Sequence, residues 1–225
     1  MKLITTGLNQ YYRSMQRKYP QILWFGDSSS CEIALTFDDG PHPRDTPQVL
    51  EVLEKHNIQA TFFLVGKAVE KYPALTKEIH QRGHHIGIHC YRHVPFQLEN
   101  SSTLRIQLER TKTLLADICN KPSQSLRDLR PPYGAFTRKT LSQLAEWGYQ
   151  VVMWNSIPPH WMQPFTWTTN QIMDQACPGS IIVLHDGHGH GTKAAKIVDC
   201  IVPKLKEQGY NFVTTKNLKG KNAHE

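Results

Sequence analysis

The residues of this 225-residue chain that could do chemistry fall in short clusters. Asp38 and Asp39 are adjacent and run straight into Gly40-Pro41, so a chain reversal follows two carboxylates. Neighbouring carboxylates pointing in different directions let one hold a cation while the other stays free as a base; Asp-Asp-Gly-Pro is also ordinary turn chemistry. His89 and His93 stand four apart, and two imidazoles at that spacing reach one ion from a helical turn or a tight loop. With a carboxylate they make the two-histidine, one-carboxylate set found in metal hydrolases. Alone the spacing is weak; beside Asp38-Asp39 it is much stronger. Arg130 precedes Pro131-Pro132, which lack N–H groups and hold an extended path, so the next amide donor is that of Tyr133. Arg130 could orient a carboxylate there and the Tyr133 amide could face a developing oxyanion, or the segment could be a plain loop. Trp154 and Trp161 bracket a further segment with aromatic surface suited to a sugar ring, an acyl group or a core, and Leu184-His185-Asp186 adds one more imidazole.

Each cluster follows a stretch that reads as a strand. Apolar, β-branched or aromatic runs occupy 32–37, 60–65, 85–89, 126–129, 150–154, 180–184 and 211–214, the fourth being the weakest. Amphipathic segments lie between them. One begins near Thr46 with Pro47 at its first position, another spans 101–119, a third runs from Thr137 to Gly148 and a fourth from Thr192 to Gly209. Seven such alternations predict a single-domain α/β fold on a parallel sheet, either closed into a TIM-like barrel or open and doubly wound. In both, chemistry collects beyond the C-terminal ends of the strands. Five of these ends deliver the carboxylates, two potentially ligating histidines, the Arg, the aromatics and the further His.

Composition narrows the class. The net charge of +7 invites a nucleic-acid or membrane-surface reading, but Lys2, Arg13, Arg17 and Lys18 near the start and Lys216, Lys219 and Lys221 near the end carry most of it. Residues 31–215 are nearly neutral, which excludes a strongly basic nucleic-acid-binding domain and leaves at most weak association of the ends with an anionic membrane surface or acidic glycan. The expected organisation is an N-terminal extension over 1–30, the domain over 31–215 and a basic tail over 216–225. Five cysteines without a Cys-x-x-Cys pair support neither a disulfide framework nor a zinc ribbon. No apolar stretch approaches the ~20 residues of a membrane span, and residues 1–20 lack an apolar signal core, so the expected location is cytoplasmic, or extracytoplasmic if the chain is a processed form. The twelve histidines argue for a metal or proton-transfer site, though His188, His190 and six others receive no firm role.

Together the motifs TFDDGP at 36–41, His-x-x-x-His at 89–93, RPPYG at 130–134 and LHD at 184–186, with ATFFLVG at 60–66, resemble the polysaccharide deacetylase family, the NodB-homology domain of carbohydrate esterase family 4. The resemblance covers roughly 31–213. It implies a distorted (β/α) TIM-like barrel of about seven parallel strands and a metal-dependent hydrolase removing N-acetyl groups from an amino-sugar oligo- or polysaccharide, of chitin-oligosaccharide or peptidoglycan type. By that similarity Asp39, His89 and His93 hold a divalent metal, Zn2+ in first place with Co2+, Ni2+ or Mn2+ as alternatives. Asp38 acts as base, Arg130 orients it, the Tyr133 amide stabilises the oxyanion, His185 acts as acid, and Leu184 with Trp161 shapes the acetyl pocket. The alternatives are deformylation or deacylation of a lipid-linked saccharide or small amide, or a catalytically weakened saccharide-binding protein. Two positions depart from the family pattern. Ile157 and His160 occupy the places of two usual Asp residues, the first of which supports the Arg and the catalytic His; Asn155, His160 or Asp186 are the candidate substitutes. Cys90 stands where Ser or Thr is usual.

Overall fold

The computed structural model describes residues 2–218. Of the expected basic tail, residues 219–225 lie outside the described residues. Seven strands occur among the described residues: β1 (Glu32–Asp38), β2 (Thr61–Leu64), β3 (His85–Ile88), β4 (Asp128–Leu129), β5 (Gln150–Val151), β6 (Ile181–His185) and β7 (Asn211–Val213). They pair in the order β5-β4-β3-β2-β1-β6, every pairing parallel, with β7 beside the first residues of β1. Beyond β5 the chain runs on to Ser156, whose bridge to Ile182 of β6 draws the two edges of the sheet towards each other. The result is the expected single-domain α/β fold on a curled, barrel-like parallel sheet. Residues 33–38, all of β2 and 181–184 are buried, which is why these strands read as unbroken apolar runs instead of alternating ones.

Helices cover the outside: α1 (Lys2–Lys18), α2 (Asp45–Lys55), α3 (Gly66–Lys71), α4 (Pro73–Gln81), α5 (Ser101–Cys119), α6 (Arg138–Glu146), α7 (Phe165–Gln175) and α8 (Gly191–Glu207). The Asn100 side chain caps α5 by accepting from the Thr103 amide, and Thr137 caps α6 by accepting from Thr140 at 3.1 Å. Gly148 and Gly209 follow α6 and α8 with φ of +80° and +88°, the left-handed exit that favours glycine. Helix α2 starts at Asp45, earlier than the expected Thr46 cap, because the Thr46 hydroxyl turns inward to bond Asp186. Helix α8 likewise starts at Gly191 rather than after Thr192.

Residues 22–25, within the expected N-terminal extension, are buried in the main core, and the Leu23 amide donates to the Val151 carbonyl at 2.9 Å. Helix α1 lays Tyr12 and Met15 against the same core. At the N-terminal ends of the strands a polar cluster is closed on itself. Asp128 Oδ2 lies 3.1 Å from His85 Nε2 and accepts from Thr215 Oγ1 at 3.2 Å, and the Thr215 amide donates to Thr61 Oγ1 at 2.9 Å. His84, also buried, accepts the Ala60 amide on Nδ1.

Candidate active site

The opposite ends of the strands carry the backbone strain. Six non-glycine residues among the described ones have positive φ; Asn57 and Asn120 follow helices, and the other four, Asp39, Cys90, Tyr133 and His188, stand in or beside one cleft. A left-handed conformation costs a non-glycine residue roughly 1–2 kcal/mol, and its concentration here marks loops shaped to aim side chains.

Strand β1 delivers Asp38 and Asp39. Asp38 continues the strand, is nearly fully buried, and accepts from Arg130 Nη1 on Oδ1 at 2.7 Å. Arg130 is itself completely buried, yet its guanidinium is bonded on every side: Nη1 also donates to Thr36 Oγ1, Nε to the Val152 carbonyl and Nη2 to the Met153 carbonyl. Its flat face lies 4.0 Å over Phe63. A buried ion pair is tolerated when its remaining donors are satisfied in this way. Burial pulls the Arg130 pKa below its ordinary value, opposed by Asp38.

Asp39 turns out of the strand at φ +75° and meets the two histidines that follow β3. Its Oδ1 lies 3.4 Å from His89 Nε2 and 3.2 Å from His93 Nε2 and makes no hydrogen bond of its own. Burial pushes the Asp39 carboxyl up, but the closeness of His89, with His185 and His93, outweighs it and holds the group well below the usual carboxylate range. His89 Nδ1 donates to the Arg130 carbonyl at 2.8 Å, which fixes its tautomer and leaves the Nε2 lone pair facing Asp39. One oxygen and two nitrogens thus converge, each within 4.8 Å of the others. The residues fit a divalent cation.

Beside Asp38 stands His185, the last residue of β6 and its register partner. Its Nδ1 is buried without a hydrogen-bond partner among the described residues, and burial lowers its pKa despite Asp38 and Asp39 nearby. Trp161 stands edge-on to the His185 ring at 4.8 Å. Tyr133, at φ +59°, exposes its side chain and sets its ring edge-on to His93 at 4.6 Å. All of these line one cleft of about 480 Å³, together with Trp154, Ile157 and the loop histidines His188 and His190.

A model of the polysaccharide deacetylase family matches residues 26–152, more than half the chain. The chain belongs to the polysaccharide deacetylase family. It is 36% identical over 197 residues to a peptidoglycan-N-acetylglucosamine deacetylase of Bacillus cereus, covering 86% of this chain and 70% of that one. It is 34% identical over 190 residues to a chitooligosaccharide deacetylase of Azorhizobium caulinodans, covering 79% and 90%. A solved peptidoglycan N-acetylglucosamine deacetylase in complex with 4-naphthalen-1-yl-N-oxidanyl-benzamide superposes with a TM-score of 0.83 at 33% identity, covering 88% and 92%. The deacetylases of this family are metal-dependent hydrolases as a rule.

Of the site residues read from the sequence of this deacetylase, Asp38, Asp39, His89, His93, Tyr133, Trp161 and His185 meet at the cleft, with Arg130 directly behind Asp38. Leu184 does not. It is completely buried and pairs with Phe37, and the period-two alternation that turns Asp38 and His185 to the cleft turns Leu184 to the other face. Ile157 and Trp154 supply apolar lining instead. Cys90 is buried, and its thiol is pushed well up by burial.

The candidate substitutes for the missing Asp separate cleanly. Asn155 serves the barrel seam, its side chain accepting the Ile181 amide and donating to Ser180 and Asn9. Asp186 points away from His185, accepts from Thr46 Oγ1 at 2.5 Å, and packs so close to Gly40 that a Cβ there would fall 2.6 Å from its carboxylate oxygens. Burial pushes the Asp186 carboxyl up to about 7. His160 alone touches His185. Trp154 was among the aromatics read as possible site surface, whereas no spacing rule could have found Ile157 as lining, because a coil segment without periodicity has no predictable inward face.

Proposed function

We propose that this chain removes N-acetyl groups from an amino-sugar oligo- or polysaccharide of the chitin-oligosaccharide or peptidoglycan type, with Zn2+ held by Asp39, His89 and His93. The carrying observation is the buried Asp38–Arg130 pair beside that triangle, with His185 lining the same cleft. Asp39 Oδ1 stands 3.2 and 3.4 Å from the two imidazole nitrogens, so these three residues would hold a cation whose preferred ligands are carboxylate oxygen and imidazole nitrogen. When bound, the cation supplies Lewis-acid polarisation of the amide and an acidified water.

The chain's own groups do the rest. Arg130 occupies Asp38 Oδ1, so Oδ2 is the oxygen that takes a proton from the attacking water. The Tyr133 amide, presented by a left-handed residue after two prolines, faces the developing oxyanion. His185 gives a proton to the departing nitrogen. Trp161, Ile157 and Trp154 surround the acetyl methyl and keep water from it. In this reading the catalytic unit spans 31–215 together with the buried residues 22–25.

The test compares Zn2+-loaded wild-type and Asp38→Asn proteins for acetate release from N-acetylglucosamine oligomers and from peptidoglycan. Wild type should release acetate, and Asp38→Asn should do so at least about a hundredfold more slowly. Saccharide binding with no acetate from either protein overturns the reading in favour of a binding protein, and turnover of N-formyl or longer N-acyl analogues of these substrates in place of the N-acetyl ones moves it to the other amides.

A further inference from the structure

An imidazole that hands over a proton must be held at one angle, and the usual device is a hydrogen bond from its second nitrogen to a carboxylate or carbonyl. His185 has no such bond among the described residues: its Nδ1 is buried with no partner from them. Asp186 is turned to Thr46, Asn155 is bound into the seam, and Ile157 carries no side-chain acceptor. What touches the ring is other rings. His160 stacks on it with centroids 5.3 Å apart and an interplanar angle of 26°. Trp161 stands edge-on to both, 4.8 Å from His185 and 5.3 Å from His160. The three rings close a triangle in which each packs on the other two.

His160 is suited to be the fixed member. It is completely buried, and it follows Pro158-Pro159 in a turn where its amide donates back to the Pro158 carbonyl at 2.6 Å. The same turn is tied to helix α8 by Lys193 Nζ, which donates to the Gln163 carbonyl at 2.6 Å. His190 backs the ring edge-on at 6.1 Å. Neither ring nitrogen of His160 reaches hydrogen-bond geometry with a described residue, although the backbone of Pro158 and His185 lies near them, so what it offers the His185 ring is a flat face. Burial drives the His160 pKa down to about 3, which keeps that ring neutral.

We propose that His160 is a positioning residue for His185, fixing the catalytic imidazole by ring stacking in a site where no hydrogen-bond acceptor does so. The role of His185 rests on the deacetylase reading above; the stacking itself does not. A ring, not a nitrogen, is the working part, and this separates the proposal from a polar dyad.

The test uses Zn2+-loaded full-length protein with His160→Ala, which removes the ring, and His160→Phe, which keeps a ring without nitrogens. Acetate release from an N-acetylglucosamine oligomer gives kcat and KM, bound metal is quantified, thermal melting confirms folding, and nitrogen-15 NMR of labelled histidine follows the His185 ring. His160→Ala should lower kcat by about a hundredfold with KM and metal content unchanged, as expected for a reacting group misplaced by about 1 Å. Its His185 ring signals should broaden. His160→Phe should hold kcat within about threefold of wild type and keep those signals sharp. An unchanged kcat in His160→Ala, or a His160→Phe that melts like wild type and loses as much kcat as His160→Ala, overturns the proposal. If wild type releases no acetate, the function is what fails, and the NMR comparison still decides the stacking: sharp signals in His160→Ala would refute it.

Discussion

The two ends of the barrel each hold a carboxylate among imidazoles, and they are built oppositely. At the N-terminal ends of the strands Asp128 meets His85 and Thr215, and Thr215 meets Thr61, so each polar group has a partner. At the C-terminal ends Asp39 Oδ1 faces two imidazole nitrogens without a hydrogen bond, the chain around it is in left-handed conformations, and His185 Nδ1 is left unpaired among the described residues. The same residue types therefore serve two ends. A closed network lowers the energy of the fold; converging lone pairs suit a cation that they would share. Presence of His and Asp does not identify a site. Their lack of mutual satisfaction does.

Four outcomes would sharpen or break that contrast, from the largest effect downward. Arg130→Met removes the cation from the buried pair and leaves Asp38 charged and alone, which should cost about 3–5 kcal/mol in denaturant unfolding and abolish acetate release. His93→Ala should weaken Zn2+ binding by at least about a hundredfold in calorimetric titration, since even loss of an outer-shell partner costs roughly ten- to hundredfold, while its melting without added metal stays near wild type. An equal loss of fold and metal would mean the upper cluster is structural after all.

The third outcome concerns pH at the closed end. Burial pulls the His84 pKa down to about 4 from an ordinary 6.5, so the unfolded chain binds the extra proton first. Stability therefore falls as pH drops from about 6.5 towards 4, by up to about 3 kcal/mol, and is fully present above that window. His84→Gln should flatten this part of the stability–pH curve; an unchanged slope would assign it to other groups. Smallest is Asp128→Asn, which weakens the lower network by about 1–3 kcal/mol and should leave kcat and Zn2+ affinity unchanged.

Much of the architecture was legible because it rests on local rules. Alternating apolar runs and amphipathic segments predicted seven strands, and capping chemistry at Thr137 and the glycine exits at Gly148 and Gly209 gave helix ends to within a residue or two. The weak run at 126–129 proved a two-residue strand, and of 150–154 only Gln150–Val151 joins the ladder. Helices α1, α3, α4 and α7 were missed. Helices α1 and α7 are mostly polar, and what secures α1 is packing of Tyr12 and Met15 onto a core assembled from distant strands.

The division is the same at the site. From the sequence alone came the identities and order of Asp38, Asp39, His89, His93, Arg130, Tyr133 and His185, because a parallel α/β sheet puts its strand ends on one side and short motifs mark those ends. Only the tertiary structure decided which way each side chain turns. Leu184 proved to face away from the cleft, Asp186 to serve the turn at Gly40, and His160 to lie flat on His185. Facing depends on strand phase and on the path of coil segments, which contacts between residues far apart in the chain settle and no local spacing encodes.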